Sequence, residues 1–395
     1  MSQRRLCCER RQFLKGLGAI ALSPALGSLA NLPEIGVAER TGTTEALPVG
    51  IARGSNMEDA VRAAVRLAGG LDFIQEGQTV LIKPNVCGAV KPPATTNPEV
   101  LYATIKLVAE RGPKRIIVAD RPFSPKFETT SPITLDVMQR VGHLDAVNQA
   151  ISDCKAPAVA CGLEDAAAEF ERIGLPADTQ HWRRIKPERA THWPDGFELA
   201  ELLFRVDHVI NVPVIKTHFQ AWFTMSMKAF VGMSHHRTRR EFHETWKGEG
   251  NLFDQKRTMS RRRGIKKDLA EEAREVTPFV NRIAELNLGI APALNILDGT
   301  ESFVFGGPSS GDTAKGNLVV ASRDRVAADA TGVAVLKWLG TEERLQDRPV
   351  WENPFIKHAI KIGLGIDSVE KMQLRQSGLD AEIEKIQAIL RPGPV

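Results

Sequence analysis

What this chain lacks narrows it first. Cysteine is scarce, five in 395 residues, and a chain of this length buries its own core, so the small disulfide scaffold is excluded. The P-loop pattern GxxxxGK[ST] is missing, and no GxGxxG stands between a strand and a helix, which removes two common phosphate cradles. Glu244 follows His243, but Lys247 stands where the zincin pattern HExxH needs its second histidine. No internal repeat occurs. Excess charge is also missing from the body of the chain. Arg4, Arg5, Arg10, Arg11 and Lys15 against Glu9 carry the whole formal +4, and the neutral remainder speaks against nucleic-acid binding. What is present, 43% hydrophobic and 25% charged residues, is the balance of a folded protein.

The basic residues at the start cluster around one motif. Residues 9–15 read Glu-Arg-Arg-Gln-Phe-Leu-Lys and resemble the twin-arginine export consensus, and a moderately apolar stretch follows at 16–30. That stretch falls short of the roughly 20 apolar residues a membrane-spanning helix needs, and Pro24 interrupts it. It is expected to be a removable address that leaves no membrane span after processing. Small residues put cleavage after Ala30 or Ala38, making 1–38 signal peptide and linker. A basic tail before an ordinary buried helix is the alternative, and it leaves the paired arginines, the Phe-Leu-Lys and the small-residue exit as coincidence. The expected partner is therefore the twin-arginine machinery, and the expected location is periplasmic or otherwise extracytoplasmic. There Cys154 and Cys161 stand near enough in sequence to pair, although free buried thiols are favoured, with Cys87 left odd.

Further on, residues 79–82 form a β-rich run, and Asn97-Pro98-Glu99 supplies an N-cap, a first-turn proline and a first-turn acid. Val100, Leu101, Thr104, Ile105 and Val108 recur at helical spacing, and residues 115–120 return to a strand, which predicts a βαβ unit with parallel strands. Residues 208–212, 293–297 and 317–321 are apolar runs of the kind buried parallel strands show. Asp324 is expected to cap a helix ending near Gly340, and 381–390 to form another. The fold class is thus α/β, a layered and mostly parallel sheet with helices on both faces. Residues 49–370 form one domain on this reading, with 371–395 as a C-terminal helix and tail. Residues 152–200 and 235–268 are irregular, the first an insertion or a second lobe.

Polar clusters follow the predicted strands, where ligands of open α/β sheets bind. Lys83-Pro84-Asn85 ends the first, combining a cation with amide donors, against the alternative of a solvated lysine in a tight turn. Lys216, Thr217 and His218 come just after another apolar run. Lys228 lies among Met225, Met227 and Phe230, where a desolvated amine would have a lowered pKa, against the alternative of a snorkelling surface lysine. Asp298-Gly299 ends a third run, and Gly306, Gly307 and Gly311 are expected to approach a ligand or cofactor with backbone amides. Asp329 sits inside a predicted helix, where capping does not account for it. His235, His236 and His243 are the candidate donors for a divalent metal, against the alternative of polar surface histidines in a basic loop.

These blocks together resemble the uncharacterised domain family numbered 362. Lys83-Pro84-Asn85, residues 211–218, Ser226-Met227-Lys228, Asp298-Gly299, Gly307-Pro308 and residues 324–329 match its pattern in order over roughly 49–370. Ala229 departs from it, standing where the family commonly has Asn. Some members carry ferredoxin-like cysteine clusters, but no CxxC occurs here, which argues against an iron–sulfur cluster held by this chain alone. The expected function is an exported enzyme acting on a small anionic ligand. Lys83, Lys216 and Lys228 would clamp the anion, Asn85 would donate beside them, His218 would work as acid–base, and Asp298 and Asp329 would orient groups or ligate a metal. The other class is a non-catalytic binding or maturation protein serving an exported redox partner. Lys216 and His218 are expected to stand outside any buried network.

Overall fold

A computed structural model describes residues 46–122, 134–164, 167–176, 178–244 and 269–391. Contacts divide the chain into Met1–Pro33 and Glu34–Val395, and all that follows concerns the second unit. The twin-arginine motif and both expected cleavage positions lie outside the described residues.

In chain order the strands are β1 (Leu47–Ala52), β2 (Thr79–Pro84), β3 (Arg115–Asp120), β4 (Ala158–Gly162), β5 (Trp182–Ile185), β6 (Phe197–Ala200) and β7 (His208–Val212). They continue with β8 (Lys216–His218), β9 (Trp222–Thr224), β10 (Leu294–Gly299), β11 (Ser302–Gly306), β12 (Gly311–Ala314), β13 (Leu318–Ser322) and β14 (Met372–Ser377). Among the described residues one eight-stranded sheet dominates, in the order β14-β1-β13-β10-β7-β2-β3-β4. Every neighbouring pair in it is parallel except those of β13, which runs antiparallel to both β1 and β10. The sheet is apolar on both sides because successive residues point to opposite faces. Leu81 of β2 enters one core with Leu297 and Val320, and Val80 and Ile82 enter the other with Ile116 and Val319. The second core takes helices Met57–Leu67, Pro98–Ala109 and His143–Cys154, and the first takes Leu269–Leu286, Arg325–Trp338, Pro354–Lys361 and Ile383–Leu390. The layered α/β class expected from sequence is the observed one.

The helix starts follow local chemistry. Asn97 Oδ1 accepts from Glu99 N at 2.9 Å, and Asp324 Oδ1 accepts from Val326 N and Ala327 N at 2.9 and 2.8 Å. Each such cap satisfies N–H groups that the helix cannot, typically worth about 1 kcal/mol. Two regions, the irregular 152–200 and the C-terminal 371–395, hold strands that the sequence reading did not give them. Residues 152–200 contain β4, the far edge of the main sheet, and the β5–β6 hairpin, whose Trp182 and Phe197 pack with Trp193 into the first core. The segment is a cover on that core and not a second lobe. β4 escaped notice because Ala-Val-Ala-Cys-Gly is short and small-sided. Likewise 371–395 holds β14, paired with β1, before its helix. No helix among the described residues is long and apolar enough to cross a membrane.

Candidate functional site

The carboxyl ends of β2 and β3, the strand β8 and residues between Lys228 and His243 wall a cavity of about 340 Å³. Asn85, Cys87, Asp120, Arg121, Lys216, His218, Lys228, Arg239 and His243 contribute its charged and polar wall. Cations outnumber carboxylates here, because Asp120 is already committed. Its Oδ1 lies 2.9 Å from Lys83 Nζ, both side chains being essentially inaccessible, and its Oδ2 accepts from Val86 N at 2.7 Å. Burial pushes the Lys83 pKa down and the Asp120 pKa up, and each charge opposes the other's shift. Gly232 closes over this pair: a Cβ there would stand 1.8 Å from Asp120 Oδ1 and 3.1 Å from Lys83 Nζ. Lys83 therefore sits behind the cavity wall, as the counter-charge of Asp120.

The strand β8 brings in the next pair. Lys216 is fully buried and donates to Pro308 O at 2.8 Å and to Ala94 O, which also accepts from Asn85 Nδ2 at 2.9 Å. An ammonium has three N–H donors, so one remains uncommitted to those carbonyls. His218, 6% exposed, accepts at Nδ1 from Gln220 N at 3.1 Å and Ala221 N at 3.2 Å. Two donors to Nδ1 leave the proton on Nε2, and burial, together with the charges of Lys228, Lys216 and Arg344, holds the imidazole pKa well below its usual value. His218 is thus a neutral ring with a fixed tautomer, built to donate one hydrogen bond from Nε2. The tight return to β9 passes through Trp222, whose φ of 69° is left-handed, a conformation non-glycine residues rarely hold outside constrained sites. Both residues are members of a buried network, contrary to expectation. An apolar strand end next to the Pro308 loop leaves them open only toward the cavity they line.

Lys228 differs from the other two lysines. It lines the cavity from the turn Ser226–Ala229, and no hydrogen bond or ion pair ties its Nζ to another described residue. Burial lowers its pKa to about 7, with the charges of Lys216, Arg239 and Lys83 adding to the fall and Cys87 opposing it. The turn itself is anchored by Asp329, which accepts from Ser226 N at 2.6 Å and Met227 N at 3.2 Å and whose pKa burial raises to about 7. Asp329 therefore positions Lys228 and does not line the cavity.

The remaining expected residues scatter. Asp298 is buried behind the site, accepting from Asn97 N at 2.7 Å and from Thr300 N and Oγ1 at 3.0 and 2.7 Å, with its pKa raised by burial against those bonds. It joins β10 to the Pro98–Ala109 helix. Gly306 and Gly311 pair in the β11–β12 hairpin, and Gly307, at φ +62°, passes so close to Thr217 O that a Cβ would stand 2.0 Å from it. The glycines let the loop lie on β8, and Pro308 and Ser309, not they, reach the cavity. His235, His236 and His243 do not form one donor set. His235 Nδ1 faces Glu198 Oε2 at 3.0 Å, whereas His243 lines the cavity with Nδ1 on Arg239 O at 2.6 Å and a pKa lowered by burial to about 3. Donors that do converge among the described residues are His192, Glu285 and His358, which are not part of the cavity wall. Cys87, Asp120, Arg121 and Arg239 were missed. The first follows the Lys-Pro-Asn turn by two positions and Asp120 ends a strand as Lys83 does, so the strand-end rule reaches both. Cys87, Cys154 and Cys161 are free thiols, Cys161 pushed up to about 12 by burial.

Residues 80–334, more than half of the chain, match the family described as Domain of unknown function (DUF362), and the chain belongs to that family. A thylakoid-associated protein of Synechocystis sp. is 25% identical over 276 residues, which are 68% of this chain and 67% of that protein. Among solved structures, the lactate racemase apoprotein from Thermoanaerobacterium thermosaccharolyticum is similar at 14% identity and a TM-score of 0.39, over 72% of this chain and 57% of that one. A Thermotoga maritima protein is similar at 10% identity and 0.33, over 62% and 51%. The chain thus spans little more than half of either structure.

Proposed function

We propose that this member of the family is an exported enzyme that binds a small anionic substrate in the cationic cavity and moves a proton with Lys228. One observation carries the reading: the Lys228 amine, with no hydrogen bond or ion pair among the described residues, lines a cavity that Lys216, Arg121 and Arg239 make cationic, and burial lowers its pKa to about 7. At neutral pH about half of such an amine is unprotonated, which suits a general base. The uncommitted N–H of Lys216 and the Nε2–H of His218 are the donors that would hold the anion and stabilise charge developing on its oxygen. Asp120 does not compete for this role, because Lys83 neutralises it.

Competitive acetylation with trace acetic anhydride at pH 7 tests the amine. Lys228 is expected to acetylate faster than the surface Lys91, and malonate or inorganic phosphate is expected to protect it. Equal labelling of the two lysines would sink the proposal. Protection by an anion with no turnover of any small carboxylate tested would leave the binding-protein class instead. For the export half, a reporter fused behind Arg10→Lys/Arg11→Lys is expected to stay in the cytoplasm, since lysine lacks the guanidinium fork. Normal export of that variant would remove the localisation.

A further inference from the structure

A second polar cluster lies in the cover formed by the β5–β6 hairpin. Glu285, fully buried in the Leu269–Leu286 helix, faces His358 of the Pro354–Lys361 helix and His192 of the 186–196 connection. One ligand atom from each residue lies within 4.8 Å of the other two. His192 Nδ1 stands 2.6 Å and His358 Nε2 3.1 Å from Glu285 Oε1, and Glu285 Oε2 is fixed separately by His192 N at 2.8 Å. Two imidazoles and a carboxylate held by its second oxygen form a donor set suited to a borderline divalent ion.

Asn281 supplies the independent observation. It lies one helical turn before Glu285, is 8% exposed, and has its Nδ2 3.3 Å from His192 Nε2 while its Oδ1 is buried without a hydrogen-bond partner. An amide nitrogen facing Nε2 makes that ring atom an acceptor and keeps the proton on Nδ1. The two ends of an amide exchange by a half-turn. With Oδ1 turned to the ring, Asn281 accepts from Nε2–H, and the Nδ1 lone pair then faces the carboxylate. Either a proton or a metal ion can then stand between Nδ1 and the carboxylate, and a histidine ligand whose other N–H is held by an oxygen is the usual support of a bound metal.

We propose that His192, Glu285 and His358 bind one zinc ion, with Asn281 orienting His192 and water at the fourth position, reached from the side where His192 is one-third exposed. A tetrahedral ion with bonds of about 2.0–2.2 Å sets neighbouring donors about 3.3 Å apart, an outward shift from the 2.6 and 3.1 Å at which the two imidazoles stand from Glu285 Oε1. None of the three residues lines the cavity, and the ion would fasten the 186–196 connection to two helices, alongside Trp193 Nε1 on Arg282 O at 3.0 Å and Arg189 on Ile362 O at 2.6 Å.

The full chain, stripped with chelator and titrated with zinc chloride, tests this by metal analysis and thermal melting. One equivalent is expected, with a melting temperature that rises with zinc concentration. His192→Ala, a partly exposed position, and Glu285→Gln, which keeps shape and hydrogen bonding, should each lose the equivalent and the shift while melting cooperatively without metal. His235→Ala and Cys87→Ser should keep both. Zinc that remains on His192→Ala, or that leaves with Cys87→Ser, would overturn the assignment, and so would a stripped wild-type chain that takes up none.

Discussion

Two lysines, Lys83 behind the cavity wall and Lys228 in it, behave in opposite ways. Lys83 is closed off with Asp120 at 2.9 Å beneath Gly232, whereas Lys228 has no such partner and faces the open volume. Both are desolvated, and in both burial lowers the pKa. The difference is compensation: a buried charge with a counter-ion is a fastening, and one without is a reagent. Lys216 lies between them, its ammonium held by carbonyls but not neutralised.

Substitutions can break that comparison, and they should rank by how much compensation each removes. Lys83→Met leaves Asp120 buried and uncompensated and should cost about 3–5 kcal/mol in denaturant unfolding. A loss under about 1 kcal/mol would show that the pair is not a fastening. Asp329→Ala strands Ser226 N and Met227 N and should cost about 2–3 kcal/mol while also weakening malonate binding through Lys228. Unchanged binding in that variant would remove Asp329 as a positioning residue.

Lys216→Ala takes a donor from Pro308 O and Ala94 O, and about 1–2 kcal/mol should be lost, more than its place after an apolar strand implies. Equilibrium unfolding reads this directly, and a neutral result would restore the view of a freely exposed site lysine. Lys228→Met should have the smallest effect on stability, within about 1 kcal/mol or stabilising, because no partner is lost and a desolvated amine disappears. Its mark should be on pH dependence. Between about 7 and the ordinary lysine value of 10.5 the unfolded chain binds this proton and the folded chain does not, so stability rises with pH through that window. Lys228→Met should flatten the rise, and an unaltered pH profile would place the amine in water.

The strand-end rule reached far into the site: Asn85, Lys216 and His218 line one cavity at the carboxyl edge of the sheet, and Lys228, singled out by its apolar neighbours, lines it with them. Where it failed, the reason is that a strand end holds both a site and the bonds that close the fold. Asp298 and Lys83 sit at such ends, yet Asp298 is taken by Asn97, 201 positions away, and Lys83 by Asp120 at the end of the neighbouring strand, pairings that strand position alone does not reveal. The histidines show the same limit. His235, His236 and His243 are near neighbours in sequence yet do not converge as one set of donors, while His192, Glu285 and His358 span 166 positions and meet.

By itself the sequence determined what depends on neighbours along the chain: the βαβ unit, the Asn97 and Asp324 caps, the apolar runs of the central strands, and the motif order that marks the family. Periodicity, capping and turn chemistry act over a few residues and are visible in them. Only the tertiary structure decided which lysine is paired, which tautomer His218 holds, and which histidines share a carboxylate. Those depend on counter-charges and water exclusion contributed by remote segments, and desolvation has no local signature in a sequence.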